Sequence, residues 1–221
     1  MHRKLILFYT VLLVLFTSHI QSLDLVIDGK IIESEWSDAR EITKYYESLP
    51  FTLNDASGSQ KVLVLEDEKG IYLGFINKQS NDSIRTQKHQ RDDEMANADM
   101  VGVSIDFDGD GLLSYGFSIS AGGSILDNVV RNENEVNYDW DSDWGYGVSI
   151  EGDVWYAEMF IPWSVAPMKA QSGDKRRVKL SFYRWLRGEF KVYTPLKGIL
   201  VPRSSFLYSM IMNSIITVFQ R

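Results

Sequence analysis

The chain has 221 residues, no cysteine and a formal net charge of −7 at pH 7. That length buries a core without covalent staples. The missing cysteine excludes disulfides, zinc–thiolate sites and thiol nucleophiles, and the acidic balance argues against nucleic acid as a partner.

Residues 1–22 have the layout of a secretory signal. Arg3 and Lys4 give a positive start, residues 5–16 an apolar run, and residues 17–22 a more polar exit with Ser22 as its last residue. The run is too short to span a bilayer comfortably. A secreted, periplasmic or outer-membrane-associated product is therefore expected, with residues 23–221 as its mature domain. His89 is the one histidine beyond the signal, which prunes the enzyme classes.

Residues 25–27 suggest a short strand before the turn Asp28-Gly29-Lys30. Trp36 and Ala39 have the spacing of one helical turn packed onto a sheet, which makes Trp36 a core anchor. Two strands follow, over residues 61–65 and 71–76, joined by the hairpin turn Asp67-Glu68-Lys69-Gly70. Residues 77–95 are charged and without period. A loop of that length is expected to be functional or poorly ordered.

Residues 97–162 organise the chain. Val101, Val103 and Ile105 alternate with smaller residues, as do Tyr115, Phe117 and Ile119, and again Trp155, Ala157, Met159 and Ile161. A period of two means strands with one buried face. Further strands are expected at 177–185 and 190–193, and residues 214–219 read as a closing strand. Many short strands between turn signals imply an all-β antiparallel sandwich or barrel.

Two loops carry the chemistry. Asp106, Asp108 and Asp110 sit at alternate positions before Gly111, a spacing that suits calcium. The twelfth position is Phe117, where a helix–loop–helix calcium site needs glutamate, so the choice lies between a calcium turn of another kind and a plain polar turn. Asp127 or Asp99 would supply a further ligand. The second loop, Tyr138-Asp139-Trp140-Asp141-Ser142-Asp143-Trp144, interleaves aromatics with acids. Tryptophan faces stack on sugar rings while carboxylates take hydroxyls, so Tyr138, Trp140, Asp141 and Trp144 are the candidate ligand contacts. So many carboxylates imply a solvated loop, with Trp140 facing solvent and Trp144 open to a core role. Glu158 is expected to pair with Arg184.

Taken together, these residues resemble the carbohydrate-binding module family 9. The resemblance rests on Ile27-Asp28-Gly29, Glu35-Trp36 and Ala39, then Asn97-Ala98-Asp99 leading to Asp106, the run 115–120, Asp127, Trp140-Asp141 and Trp144. The series Trp155, Glu158, Ile161 and Pro162 and then Arg184 complete it. It covers residues 25–193; the segment after Pro195 fits poorly, and 196–221 reads as a closing strand or a truncated tail. The resemblance implies a jelly-roll β-sandwich, non-catalytic glycan binding linked to polysaccharide breakdown or uptake, and structural calcium. It also implies a larger C-terminal barrel or enzyme as a partner. Two other classes stay open. A glycoside hydrolase would draw its carboxylate pair from Glu133, Glu135, Asp139, Asp141 and Asp143. A haem or redox sandwich would use His89 with Met95 or Met100.

Overall fold

The computed structural model describes residues 25–93, 96–132, 135–170 and 176–195. The expected signal at 1–22 and closing strand at 214–219 lie outside the described residues. The strands are β1 (Arg40–Ile42), β2 (Tyr46–Leu49), β3 (Gln60–Glu66), β4 (Gly70–Lys78), β5 (Met100–Asp106) and β6 (Leu113–Ser120). They continue with β7 (Ile125–Arg131), β8 (Glu135–Asn137), β9 (Gly145–Glu151), β10 (Val154–Pro162), β11 (Lys179–Leu186) and β12 (Lys191–Thr194). They form two antiparallel sheets: β1-β3-β4-β10-β9, and β2-β12-β11-β5-β6-β7-β8.

The architecture is an all-β sandwich. Its core is made by the alternation read in the sequence. Val101, Val103, Ile105, Phe117, Ile119, Trp155, Met159, Leu180 and Phe182 are all completely buried between the sheets. The chain crosses between the sheets five times, and two of the crossings join edge strand to edge strand. At one side the chain leaves edge strand β1 for edge strand β2. At the other it leaves β8, the edge of the seven-stranded sheet, for β9, the edge of the five-stranded one. Residues 138–144 are that second crossing.

A smaller cluster covers the outer face of the five-stranded sheet. Trp36, Leu63, Leu65 and Tyr72 are buried there beneath Leu25, Ile27, Ile31 and Ala39. Trp36 is thus an anchor, as its spacing predicts. The segment carrying it makes hydrogen-bonded turns, with Ala39 N–H donating to Trp36 O at 3.0 Å, rather than a helix. Residues 25–27 are not a strand. The segment lies close enough that Gly29, at φ +86°, would drive a Cβ to 2.4 Å from Val148 N. Only glycine fits both that dihedral and that distance.

The expected Glu158–Arg184 pair does not form. Glu158 is on the outer face of β10, where Oε2 accepts the N–H groups of Asp28 (3.0 Å) and Gly29 (2.8 Å) and Oε1 accepts Trp36 Nε1–H (3.2 Å). Arg184 is on the other sheet and points between the two, donating to Ser59 O, Lys78 O and Gln79 Oε1. The alternation that puts Trp155 inward sends Glu158 outward, so the two charges lie on opposite sides of the five-stranded sheet. Burial lowers the Arg184 pKa to about 10, which leaves it charged at neutral pH.

Candidate functional site

The turn between β5 and β6 is stabilised by the protein itself. Asp106 accepts Gly109 N–H and Gly111 N–H, both at 2.7 Å. Asp108 takes Lys169 N–H at 2.9 Å and Arg176 at 3.0 Å, and Asp110 takes Lys169 Nζ at 2.6 Å. Lys179 Nζ stands 3.9 Å from Asp106. The Lys169 hydrogen bond holds Asp110 below the usual carboxylate range. Asp127 stands apart from this turn. It faces Phe117 across β6–β7, and Phe117 faces Val103 across β5–β6. That places Asp127 about 10 Å across the sheet and about 10 Å along it from Asp106. Asp99 is taken up by Gln79, Arg85 N–H and Arg187 N–H.

Asp127 therefore cannot share one ion with Asp106, Asp108 and Asp110. The charges at the turn are met by Lys169, Arg176 and Lys179, so adding calcium or a chelator is expected to give superimposable melting curves. A rise with calcium that Asp108→Ala removes would contradict this, because an ion bound only by the folded state raises its stability.

The crossing at 138–144 is built differently from a solvated loop. Its residues alternate: Asp139, Asp141 and Asp143 are exposed, while Tyr138, Trp140 and Ser142 are half-buried and Trp144 is buried. Trp144 is 8% exposed and belongs to the main core, with its ring 5.6 Å from Phe117. Trp140 is half-buried, its ring 4.9 Å from Tyr115 and 5.9 Å from Phe117. The expectation of a solvent-facing Trp140 needs correcting to a ring packed on one side. An extended chain puts neighbours on opposite sides, so the flanking acids can be wet while the ring packs. The exposed aromatic is Tyr146, 43% exposed and 5.2 Å from Trp144.

Beneath the loop lies a cluster to which sequence reasoning contributed only Asp127 and Asp141. Asp127, fully buried on the inner face of β7, receives Arg91 Nε–H and Nη2–H (2.7 to 3.1 Å), Ser142 N–H (3.1 Å) and Trp144 Nε1–H (3.4 Å). Arg91 Nε also reaches Asp141 at 2.6 Å. Asp92 accepts Asp127 N–H at 2.8 Å. Burial pushes the Asp92 carboxyl up, and the charges of Asp127 and Asp141 add to that. Asp92, Asp127 and Asp141 each bring an oxygen within 4.8 Å of the others, with Arg91 among them. Arg91 and Asp92 come from the aperiodic 79–99 connection, where no pattern marked them. The result is a fixed set of acceptors and a guanidinium under the crossing that carries Trp140, with the Asp141 side chain 64% exposed and Tyr146 following on β9 against Trp144.

The outer face of the seven-stranded sheet is a second polar surface. Tyr183 lies over Gly102 and bonds Ser118, and Asn128 lies over Gly116. A Cβ on Gly102 would meet the Tyr183 ring at 2.5 Å. Trp185 is stacked beneath Arg187 at 4.1 Å. Asn128 Oδ1, Ser114 Oγ and Trp185 Nε1 are buried there without a protein partner.

No family model matches the sequence, and no curated protein matches it. Solved structures do. The chain is similar to a candidate carbohydrate-binding protein from Bacteroides uniformis, at a TM-score of 0.56 and 14% identity over 81% of this chain and 89% of that one. It is also similar to a family 9 carbohydrate-binding module from Caldicellulosiruptor kristjanssonii solved with cellotriose, at a TM-score of 0.51 and 12% identity over 77% of each chain. The fold is CBM9-like. In this CBM9-like sandwich the Arg91–Asp127 cluster occupies the open side between β7 and β9, and the crossing at 138–144 closes over it.

Proposed function

We propose that the chain is a non-catalytic glycan-binding module whose ligand lies along Trp140, Tyr146 and Asp141, over Arg91. The observation that carries this reading is the contact of buried Asp127 with the partly exposed Arg91. It fixes an exposed carboxylate and a guanidinium at the crossing that carries Trp140, without a conformational cost on binding. Rings suit the C–H faces of a sugar, and the acceptors suit its hydroxyls. The CBM9-like fold and the cellotriose-bound neighbour point to the same ligand class.

Hydrolysis would need two carboxylates facing each other across a cleft, about 5 to 9 Å apart. Asp139, Asp141 and Asp143 all point outward along one strand-like segment, which favours binding over catalysis. The apolar run at 5–16 supports export, and a role beside polysaccharide breakdown or uptake follows from the glycan reading.

A second reading places the glycan on the outer face of the seven-stranded sheet. Its support is the set of unpartnered atoms of Asn128, Ser114 and Trp185.

A glycan array identifies the ligand, and titration of two exposed variants locates it. Tyr146→Ala and Asp141→Ala are each expected to weaken binding by about 1–3 kcal/mol while leaving the melting temperature within a few degrees of native. Unchanged affinity in both, with loss in Trp185→Ala, would move the site to the second surface.

A further inference from the structure

The end of the sandwich away from the aspartate turn holds polar groups that no part of the function above uses. Gln60, Asn77 and Trp155 stand side by side on the inner face of the five-stranded sheet, directly opposed across β3–β4 and β4–β10. Residues so opposed have Cβ atoms about 5 Å apart. Arg184 reaches across from β11 and donates to Ser59 O and Lys78 O, the neighbours of Gln60 and Asn77 in the chain. Gln60 is 3% exposed and the other three 0%.

Most of the polar atoms in this group lack a protein partner. They are both amide atoms of Gln60, Asn77 Oδ1, Trp155 Nε1 and Arg184 Nε. The exceptions are Asn77 Nδ2, which donates to Trp155 O at 3.3 Å, and the two terminal nitrogens of Arg184. Each unpaired group costs free energy when buried, and five together would cost an amount comparable with the whole stability of a domain this size. A folded chain does not carry that cost unmet.

We infer that Gln60, Asn77, Trp155 and Arg184 enclose a built hydration site, holding long-lived water between the two sheets. The choice of guest follows from the atoms. Trp155 and Arg184 offer donors, Asn77 an acceptor and Gln60 both, so the guest must donate and accept at once. A fully deprotonated anion cannot donate to Asn77, and a metal or ammonium cation cannot accept from Trp155. Water does both, and buried waters typically make about three hydrogen bonds. Two surface hollows border the group. One, of about 590 Å³, is lined by Ser59 and Tyr193, and the other, of about 420 Å³, by Gln79 and Leu186. The water would act as a fixed part of the junction by which Arg184 ties the ends of β3 and β4 to β11.

The test uses the full chain. Water-oxygen magnetic relaxation dispersion counts internal water with long residence, and it is compared between native protein and Gln60→Met. Native protein is expected to show such water, and Gln60→Met to lose at least one molecule's signal and to melt at a lower temperature. A high-resolution crystal structure of the native chain makes the test independent of the variant's folding. It should show ordered solvent bonded to the Gln60 amide and Arg184 Nε. The inference is overturned if that density is absent, or if Gln60→Met keeps the same dispersion and melts higher, as it would when a dry, unpaired amide is relieved.

Discussion

Replacing Trp155 by alanine is expected to lower the unfolding free energy by roughly 3–5 kcal/mol, the range for removing a large buried aromatic. The ring is completely buried in the main core, from a strand paired on both sides by β4 and β9. Neighbours held by two strand ladders cannot collapse into the space, so the cavity term stays. For a domain near this size, each kcal/mol moves the melting temperature by about 2–4 °C, so a fall of roughly 6–20 °C is expected. Thermal melts followed by calorimetry measure it. A fall of only a degree or two would mean that the inner face of β10 is not packed as described.

The second large effect is expected at Glu158. Its carboxylate is the acceptor for Trp36 Nε1–H and for two backbone N–H groups of the N-terminal segment. Glu158→Ala leaves these donors without their partner, at about 1–3 kcal/mol each, so a loss of at least about 3 kcal/mol is expected. Early proteolytic cleavage within residues 25–42 would report the release of the segment. The pH dependence has a defined sign. Burial raises the Glu158 pKa above its ordinary value despite those three hydrogen bonds. The folded state therefore holds this proton to higher pH than the unfolded state does. Its contribution is full below the ordinary glutamate pKa of about 4.3, and it declines as pH rises through the raised value. Glu158→Gln cannot titrate, so it should gain on the native protein as pH rises through that window. A gap that widens instead would contradict the assignment.

The fold was legible because its signal is local and redundant. Val101, Val103 and Ile105 repeat a period of two that neither turns nor ligands disturb, and Tyr115 to Ile119 and Trp155 to Ile161 repeat it again. The site was legible only in part. In the run from Tyr138 to Trp144, charge density suggests solvation, yet the alternation of acids with larger residues is itself the pattern of an extended segment with one packed side. That pattern would have placed Trp140 and Trp144 inward. Arg91 and Asp92 left no comparable mark. Their partner Asp127 is 35 or more residues away, and nothing in an aperiodic loop encodes which strand it will cross. Glu158 failed for a different reason. A buried carboxylate suggests a cationic partner, whereas here the charge is met by N–H groups of a segment read only as a turn and an anchor.

The central claim, a glycan seated at the Tyr138–Tyr146 crossing, is tested most directly through the indole N–H resonances of the tryptophans, assigned by single Trp→Phe variants and followed during titration with the best array ligand. Trp140 and Trp144 should shift in proportion to occupancy, while Trp36, which donates to Glu158 on the outer face of the five-stranded sheet, and Trp163, which donates to Asp67 O, stay fixed. Shifts confined to Trp185, or binding that moves none of these resonances, would contradict it.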